Sequence, residues 1–288
     1  MPELSELRNI VCETFPEFEI RTFSLLGKGW YASVCLANNE VVFKIPTPIS
    51  DTVVGTNEKE IRILNFLEGK LDIQIPKILF HRTAKNGTHI VAMTLLPGVT
   101  YSQGLHDSYD TDTKATILTQ LGQIMRQLHD AGGDPSPLTQ IAHPIDSLDV
   151  FNRYLDKVRN LFSNDQIKKI MATADDYKRL SAEHPVQPVF CHSDLHFGNL
   201  MFDADAKKIS GLLDFGAAHY AEPSRDMHYY WGDGAKSILS GYGDNGDEFL
   251  PRRQKFQMMV NTLNDIGEDV DAGKSPNERL ENLINCLK

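Results

Sequence analysis

Leu4, Leu7, Ile10, Val11 and Phe15 recur at helical spacing and predict an amphipathic first helix over residues 4–15. From Ile20 the pattern turns to β: EIRTFSLL, YASVCLA and EVVFKI read as strands, and Asn38-Asn39 supplies a tight turn between the last two. NEKEIRILNFLEG returns to helical spacing, with Ile61, Ile63, Leu64 and Leu67 forming its apolar face. After Pro76, KILFHR and HIVAMTLLPG make a second strand pair, with Asn86-Gly87 as its turn.

Helices then dominate. Ile117, Leu121, Ile124, Met125 and Leu128 mark a buried helix over Lys114–His129, which Gly132-Gly133 ends. Asp134–Pro144 is rich in Pro, Ser and Thr and reads as a loop. A helix carrying Phe151, Tyr154, Leu155, Val158 and Leu161 follows, then another from about Ile167 to Leu180. One more hairpin is expected, with Leu200–Phe202 as a strand, Asp203–Lys208 as a polar turn and Ile209–Leu213 as the return. Beyond Asp226 the runs MHYYWGDG, GYGDNGDEF and NDIGEDVD are aromatic and acidic, and no internal repeat is seen.

At 288 residues, 41% of them hydrophobic, the chain can bury a sizeable core in one large domain or two modest ones. The formal charge of -10 argues against nucleic acid and suits a cationic ligand in an acidic cleft, although solubility accounts for it equally well. Cys12, Cys35, Cys191 and Cys286 lie far apart with no C-x-x-C pair, against a zinc site or a disulfide framework and in favour of a reducing cytoplasm. MPELSELRNIV has no basic leader and apolar core, and no run approaches the roughly 18 apolar residues of a membrane span. Neither export nor membrane insertion is expected.

The chemistry concentrates between Cys191 and Gly216. His192-Ser193-Asp194, followed after four intervening residues by Asn199 and then by Asp214-Phe215-Gly216, gives H-x-D-x-x-x-x-N followed by D-F-G. Transfer of a γ-phosphoryl group needs a carboxylate to orient the acceptor hydroxyl and take its proton, and oxygen ligands that hold Mg²⁺ against the phosphates. Asp194 fits the base, and Asn199 and Asp214 fit the metal ligands. Either motif alone recurs by chance in many chains; the two together, in this order and flanked by apolar strands, do not. Upstream, Gly27 and Gly29 in LGKGW let backbone N–H groups approach phosphate, while VVFK ends an apolar strand on Lys44 as V-A-I-K does in kinases. Glu60, beside the apolar face of the next helix, is the expected partner of Lys44, with Glu58 as the alternative.

HSDLHFGNLMFD and LLDFGAAHYAEPSRD resemble the catalytic segment of the aminoglycoside phosphotransferase family, small-molecule kinases on a protein-kinase-like fold, and LGKGWYASVCLANNEVVFKIP resembles that family's opening. Ser193 stands where the family usually has Gly, Tyr31 where it has an acidic or amide residue, and Glu222-Pro223-Ser224-Arg225-Asp226 replaces the usual D-P-x-x-D. The resemblance favours Glu60 over Glu58. It also implies that Leu96-Pro97-Gly98 links two lobes, that Met93 backs the nucleotide pocket, and that the backbone of Thr94–Leu96 meets the base. Asp226 is implied to brace the catalytic loop through backbone hydrogen bonds, and His129 to be structural.

The expectation is therefore a bilobal α+β protein-kinase-like fold, with a nucleotide-binding lobe over residues 1–96 and a mainly helical catalytic and substrate-binding lobe over 97–288. The implied activity is transfer of the γ-phosphate of ATP, with GTP open, to a hydroxyl of an aminoglycoside antibiotic with Mg²⁺ as cofactor, in a cytoplasmic monomer. Ammonium groups and sugar rings suit the carboxylates and aromatics of the last third, so Trp231, Asp233, Asp265, Glu268 and Asp269 are the substrate candidates. Macrolides, choline-like amines, homoserine and other sugars remain alternative acceptors. A nucleotide-binding regulator without turnover is the alternative from another class, and a protein kinase is disfavoured because no A-P-E segment follows Asp214.

Overall fold

The computed structural model describes residues 3–29, 32–46, 54–131, 147–230 and 232–287. In chain order the elements begin with α1 (Leu4–Thr14), β1 (Phe23–Lys28), β2 (Ala32–Ala37), β3 (Val41–Pro46), α2 (Val54–Leu67), β4 (Ile78–Thr83), β5 (His89–Thr94) and β6 (Val99–Thr100). They continue with α3 (Gln103–Asp107), α4 (Thr111–Ala131), α5 (Ser147–Val158), α6 (Asn164–Glu183), β7 (Val189–Cys191), β8 (Leu200–Asp203) and β9 (Lys208–Leu212). The last are β10 (His219–Ala221), α7 (Gly232–Tyr242), α8 (Leu250–Asp271) and α9 (Asn277–Cys286). Two compact units result: Met1–Tyr101 with Phe197–Ala217, and Ser102–His196 with Ala218–Lys288.

The first unit is built on an antiparallel sheet in the order β1-β2-β3-β5-β4. Asn38 and Asn39 both take φ 56°, the left-handed pair that a two-residue hairpin needs and that asparagine tolerates well. Leu7 and Val11 of α1 and Phe15 just after it pack on Phe43, Ile45, Ile90 and Ala92 of the sheet. Phe15, Phe18, Phe43 and Phe80 meet there with ring centroids between 5.1 and 6.0 Å apart. β1 runs on through Gly27 to Lys28, with a register shift between Leu25 and Gly27, so the first residues of LGKGW are strand. Trp30 and Tyr31 are outside the described residues.

The hairpin β8–β9 groups with the N-terminal residues although it comes a hundred residues later. Backbone bonding explains this: Gln74 donates to the Ser210 carbonyl (3.1 Å) and its own carbonyl accepts from Leu212 N (2.9 Å). A Cβ on Gly211 would stand 2.9 Å from that Gln74 carbonyl, so glycine permits the approach. β6 pairs with β8, and Tyr101 stacks on Phe202 at 4.6 Å.

In the second unit α5, α6, α8 and α9 share a core around Phe151, Leu155, Ile170, Phe256 and Leu263, with Tyr177 stacked on Phe256 at 3.8 Å. α4 lies against α7 so closely that a Cβ on Gly122 would overlap the Ile238 carbonyl, and one on Gly241 the Thr119 carbonyl. β7 and β10 form a two-stranded antiparallel ribbon. The helices α7, α8 and α9 went unanticipated. In α8 the buried polar residues Arg253, Gln254 and Gln257 interrupt the apolar period by which a helix is read. The expected stop at Gly132-Gly133 and the loop to Pro144 fall outside the described residues. Among those described, no helix is long and apolar enough to cross a membrane.

Candidate active site

The site residues expected from sequence are spread over both units, and the first joins Lys44, Glu60 and Asp214 directly. In the first unit Lys44 sits in mid-sheet on β3, opposite Val34 of β2 and Val91 of β5. Its Nζ lies 2.6 Å from Glu60 Oε2 and 2.8 Å from Asp214 Oδ1. The other Glu60 oxygen accepts from Phe215 N at 3.1 Å, so α2 grips both the lysine and the D-F-G backbone. Glu58 is exposed. Burial acts to lower the Lys44 pKa, but the charges of Glu60 and Asp214 outweigh it and the net shift is upward, so the ammonium is held charged.

Asp214 takes φ 58°, and its side chain keeps 49% exposure while accepting from Gly216 N at 3.3 Å. Asn199 is buried and closes the short 3₁₀ turn Phe197–Asn199, with its carbonyl accepting from Leu213 N at 2.9 Å. Since Leu200 pairs with Leu212, Asn199 and Asp214 flank the same open end of one hairpin. An amide oxygen and a carboxylate are hard donors of the kind Mg²⁺ takes.

Met93 is buried on β5, opposite Val42. Thr94 N donates to the Lys77 carbonyl (3.0 Å) and Leu95 N to that of Glu40 (3.4 Å), so these two amides are committed within the unit; the Leu96 side chain is buried. Gly27 lies within β1, and Gly29 N donates to the Ala32 carbonyl at 2.8 Å.

In the second unit the loop after β7 is held by a fully buried carboxylate. Asp226 accepts from His192 N (3.0 Å) and Ser193 N (2.6 Å), and its Oδ2 lies 3.0 Å from His129 Nε2. The other His129 nitrogen meets the Tyr242 hydroxyl at 2.8 Å. Burial would raise the Asp226 pKa; its hydrogen bond to His129 and the nearby imidazole charges prevail and lower it. Asp226 thus braces the loop, as its place in the motif implied. Ser193 takes φ 67°, in the left-handed region, which explains why glycine is usual there. Its hydroxyl is buried without a hydrogen-bond partner among the described residues.

Asp194 presents two different oxygens. Oδ1 accepts from the Tyr229 hydroxyl at 2.6 Å, while Oδ2 faces His196 Nε2 at 3.7 Å, with the side chain 32% exposed. Tyr230 donates to the Leu195 carbonyl at 2.6 Å. Neither tyrosine role was read from the sequence, where both counted among substrate-facing aromatics. The available signal was position: three and four residues after a loop-bracing aspartate, a tyrosine can reach back to the same loop.

The substrate candidates are divided. Asp233, on α7, is 96% exposed and pairs with Lys236 at 2.8 Å. Asp265 and Asp269 both pair with Arg279 of α9 at 2.7 Å, and Glu268 accepts from Asn264 at 3.1 Å. Burial pushes the Asp265 carboxyl up to about 6 against the opposing charge of Arg279. Trp231 lies outside the described residues.

The model of a family described as the phosphotransferase enzyme family matches residues 22–255. Among solved structures, the GDP complex of aminoglycoside 2'-phosphotransferase-IIIa is similar with a TM-score of 0.83 at 18% identity, over 99% of both chains. The streptomycin–ATP complex of APH(2")-IIa gives 0.71 at 17% identity over 100% of this chain and 99% of that one. Apo macrolide 2'-phosphotransferase MphH from Brachybacterium faecium gives 0.66 at 16% identity over 99% and 98%. At such identities the likeness is one of fold, and it matches the expected α+β protein-kinase-like class, with an N-terminal antiparallel sheet followed by a mainly helical part.

Proposed function

The chain belongs to the phosphotransferase enzyme family and is a phosphotransferase, and from that premise we propose that it moves the γ-phosphoryl group of ATP, or of GTP, to a hydroxyl of an aminoglycoside. The observation that carries this is the cluster in which Lys44 meets both Glu60 and Asp214. A buried ammonium held charged by two carboxylates suits the anchoring of anionic phosphates, and Glu60 keeps it aimed. Asn199 and Asp214 would hold Mg²⁺, which when bound neutralises phosphate charge.

Asp194 takes the proton of the acceptor hydroxyl as its oxygen bonds to the γ-phosphorus and the bond to the β-phosphate bridging oxygen breaks. The nucleoside diphosphate leaves with that bridging oxygen. Gly27 and Gly29 offer the phosphates a backbone approach. The base rests by Met93 and on backbone groups of Thr94–Leu96, other than the amides of Thr94 and Leu95 that are already committed. The similar structures hold GDP in one case and ATP with streptomycin in another, which supports both donors and the acceptor class. Asp233, Glu268 and Trp231 are the cation-facing candidates. The protein acts as a cytoplasmic monomer binding neither nucleic acid nor membrane, consistent with its charge of -10.

One observation favours a second acceptor. Arg279 already pairs with both Asp265 and Asp269 and offsets one of their charges, leaving less negative charge for a polycation and favouring a less charged hydroxyl compound such as a macrolide. Nucleotide consumption measured with ATP and with GTP across aminoglycosides, macrolides and simple amino alcohols decides between them. Acceptor-dependent release of nucleoside diphosphate with at least one aminoglycoside is expected. Turnover with macrolides alone would select the second acceptor, and no turnover with any acceptor would leave a nucleotide-binding regulator.

A further inference from the structure

Strands β4 and β5 of the first unit carry two histidines that the phosphoryl-transfer chemistry does not use. His81 pairs in register with Val91, and Thr83 with His89, so the two imidazoles stand diagonally on one face of the sheet. Their ring centroids are 5.2 Å apart and their planes tilted by 44°. This is the face opposite to Ile90 and Ala92, which pack with α1. It is also the one that α2 reaches, since the Asn57 side-chain amide donates to the His89 carbonyl at 2.8 Å. His89 Nδ1 lies 2.9 Å from the Thr83 hydroxyl, while its Nε2 is buried without a hydrogen-bond partner among the described residues. Donation from Nδ1 to the Thr83 oxygen leaves Nε2 as a bare lone pair, the state in which a histidine with one oriented nitrogen binds metal. The His81 side chain is exposed and can turn about its own bonds to face the same point.

We propose that His81 and His89 together bind a divalent transition-metal ion of the Zn²⁺ class, with water completing its coordination. Two imidazoles on one tetrahedral ion, each with a metal–nitrogen distance of about 2.0–2.1 Å, hold their ring centres roughly 5 Å apart, which is the spacing seen here. Burial and then the charge of His81 lower the His89 pKa, so the ring is neutral at neutral pH and its nitrogen is available. Glu58, exposed near the start of α2, adds a negative charge that His89 feels and that favours a cation. Imidazole nitrogens select Zn²⁺, Ni²⁺ or Cu²⁺ over Mg²⁺, so this site is chemically distinct from the oxygen donors Asn199 and Asp214. The buried group His129, Cys191 and Asp226 is a poorer candidate although it gathers three ligand types. Both His129 nitrogens and both Asp226 oxygens are already hydrogen-bonded, and burial pushes the Cys191 thiol up so that it keeps its proton.

The experiment titrates zinc chloride, and separately magnesium chloride, into the full chain without a histidine tag or nucleotide, with calorimetry and the thermal midpoint as readouts. It compares the unaltered protein with His81→Ala, which removes an exposed side chain, and with His184→Ala, which removes an exposed imidazole from the other unit. Zn²⁺ at ten times its dissociation constant should raise the midpoint of the unaltered protein by about 2 °C. His81→Ala should weaken Zn²⁺ binding by at least about tenfold, His184→Ala should leave it in place, and the response to Mg²⁺ should be the same in all three proteins. Absence of saturable Zn²⁺ binding to the unaltered protein overturns the proposal. Equal affinity in His81→Ala also overturns it, by placing the ion on other ligands, and so does an equal loss in His184→Ala, which would mean that Zn²⁺ binds surface histidines without preference. A Mg²⁺ response that falls together with the Zn²⁺ response in His81→Ala would likewise overturn it, making His81 merely structural.

Discussion

Ser193 is held in the left-handed region at φ 67° with a buried, unpartnered hydroxyl, and both features can be relieved by one substitution. In Ser193→Gly the strain of an L-residue in that region disappears, worth roughly 1–2 kcal/mol. Removing the unsatisfied buried hydroxyl returns roughly 1–3 kcal/mol. Against this, glycine loses more backbone freedom on folding, about 0.5–1 kcal/mol. The lower halves of these ranges leave a net stabilisation of about 1–3 kcal/mol, which for a chain this size raises the thermal midpoint by about 2–5 °C. The bonds from the loop amides to Asp226 do not involve the side chain, so turnover should stay within about twofold.

Thermal unfolding of Ser193→Gly beside Ser193→Ala separates the two contributions. Alanine removes the hydroxyl but keeps Cβ in the left-handed region, so it should gain only part of the effect. Should Ser193→Gly melt at or below the unaltered protein, the strain and orphaned-hydroxyl reasoning would be refuted.

Lys44→Met should abolish detectable turnover and also lower the thermal midpoint, because a buried Glu60 loses its counter-charge at a cost of about 3–5 kcal/mol. Adding Glu60→Gln should recover most of that stability without recovering turnover, as calorimetry and the nucleotide assay would show; an active double variant would contradict the anchoring role. Gly241→Ala should cost about 3 kcal/mol, since its Cβ overlaps the Thr119 carbonyl, whereas Gly234→Ala meets only Leu118 Cδ1 at 3.4 Å and should gain a few tenths of a kcal/mol as a better helix former; denaturant midpoints test the contrast. His228 is buried, its Nδ1 donating to the Arg225 carbonyl, and burial followed by the Arg225 charge lowers its pKa from 6.5 to about 3. The unfolded chain therefore takes up this proton first as pH falls, so stability present above pH 6.5 is lost progressively towards pH 3. His228→Asn should lose less stability over that window, and parallel pH–melting curves for the two proteins would count against the assignment.

Sheet and hairpins were legible where a local rule is strong: the alternation from Ile20 onward, the Asn38-Asn39 and Asn86-Gly87 turns, and the polar turn between β8 and β9 all depend on neighbours in sequence. Lys44 and Glu60 could be paired because a lysine on an apolar strand and a helix-flank glutamate each have few places to point, although β3 runs on past Lys44 to Pro46. The C-terminal helices were hidden by buried polar residues; Arg253, fully buried, reaches Glu222 and Asp247 at 2.9 Å each and so occupies a position where an apolar side chain would have announced the helix. Arg279 stayed invisible for a related reason. An ion pair formed across ten and fourteen residues of chain, between two helices, leaves no periodic trace, and Asp265 and Asp269 consequently read as open carboxylates.

The polypeptide passes between the two units three times, at Tyr101/Ser102, His196/Phe197 and Ala217/Ala218, and the second passage falls between Asp194 and Asn199. A fragment ending at residue 101 would lack β8 and β9 and strip Gln74 of its backbone partners, so truncation cannot yield the sheet unit in intact form. Split-protein or chimera schemes therefore have to graft residues 197–217 along with the N-terminal part, and a protease nick within the four residues separating Asp194 from Asn199 would cut the chain between these two residues without removing either.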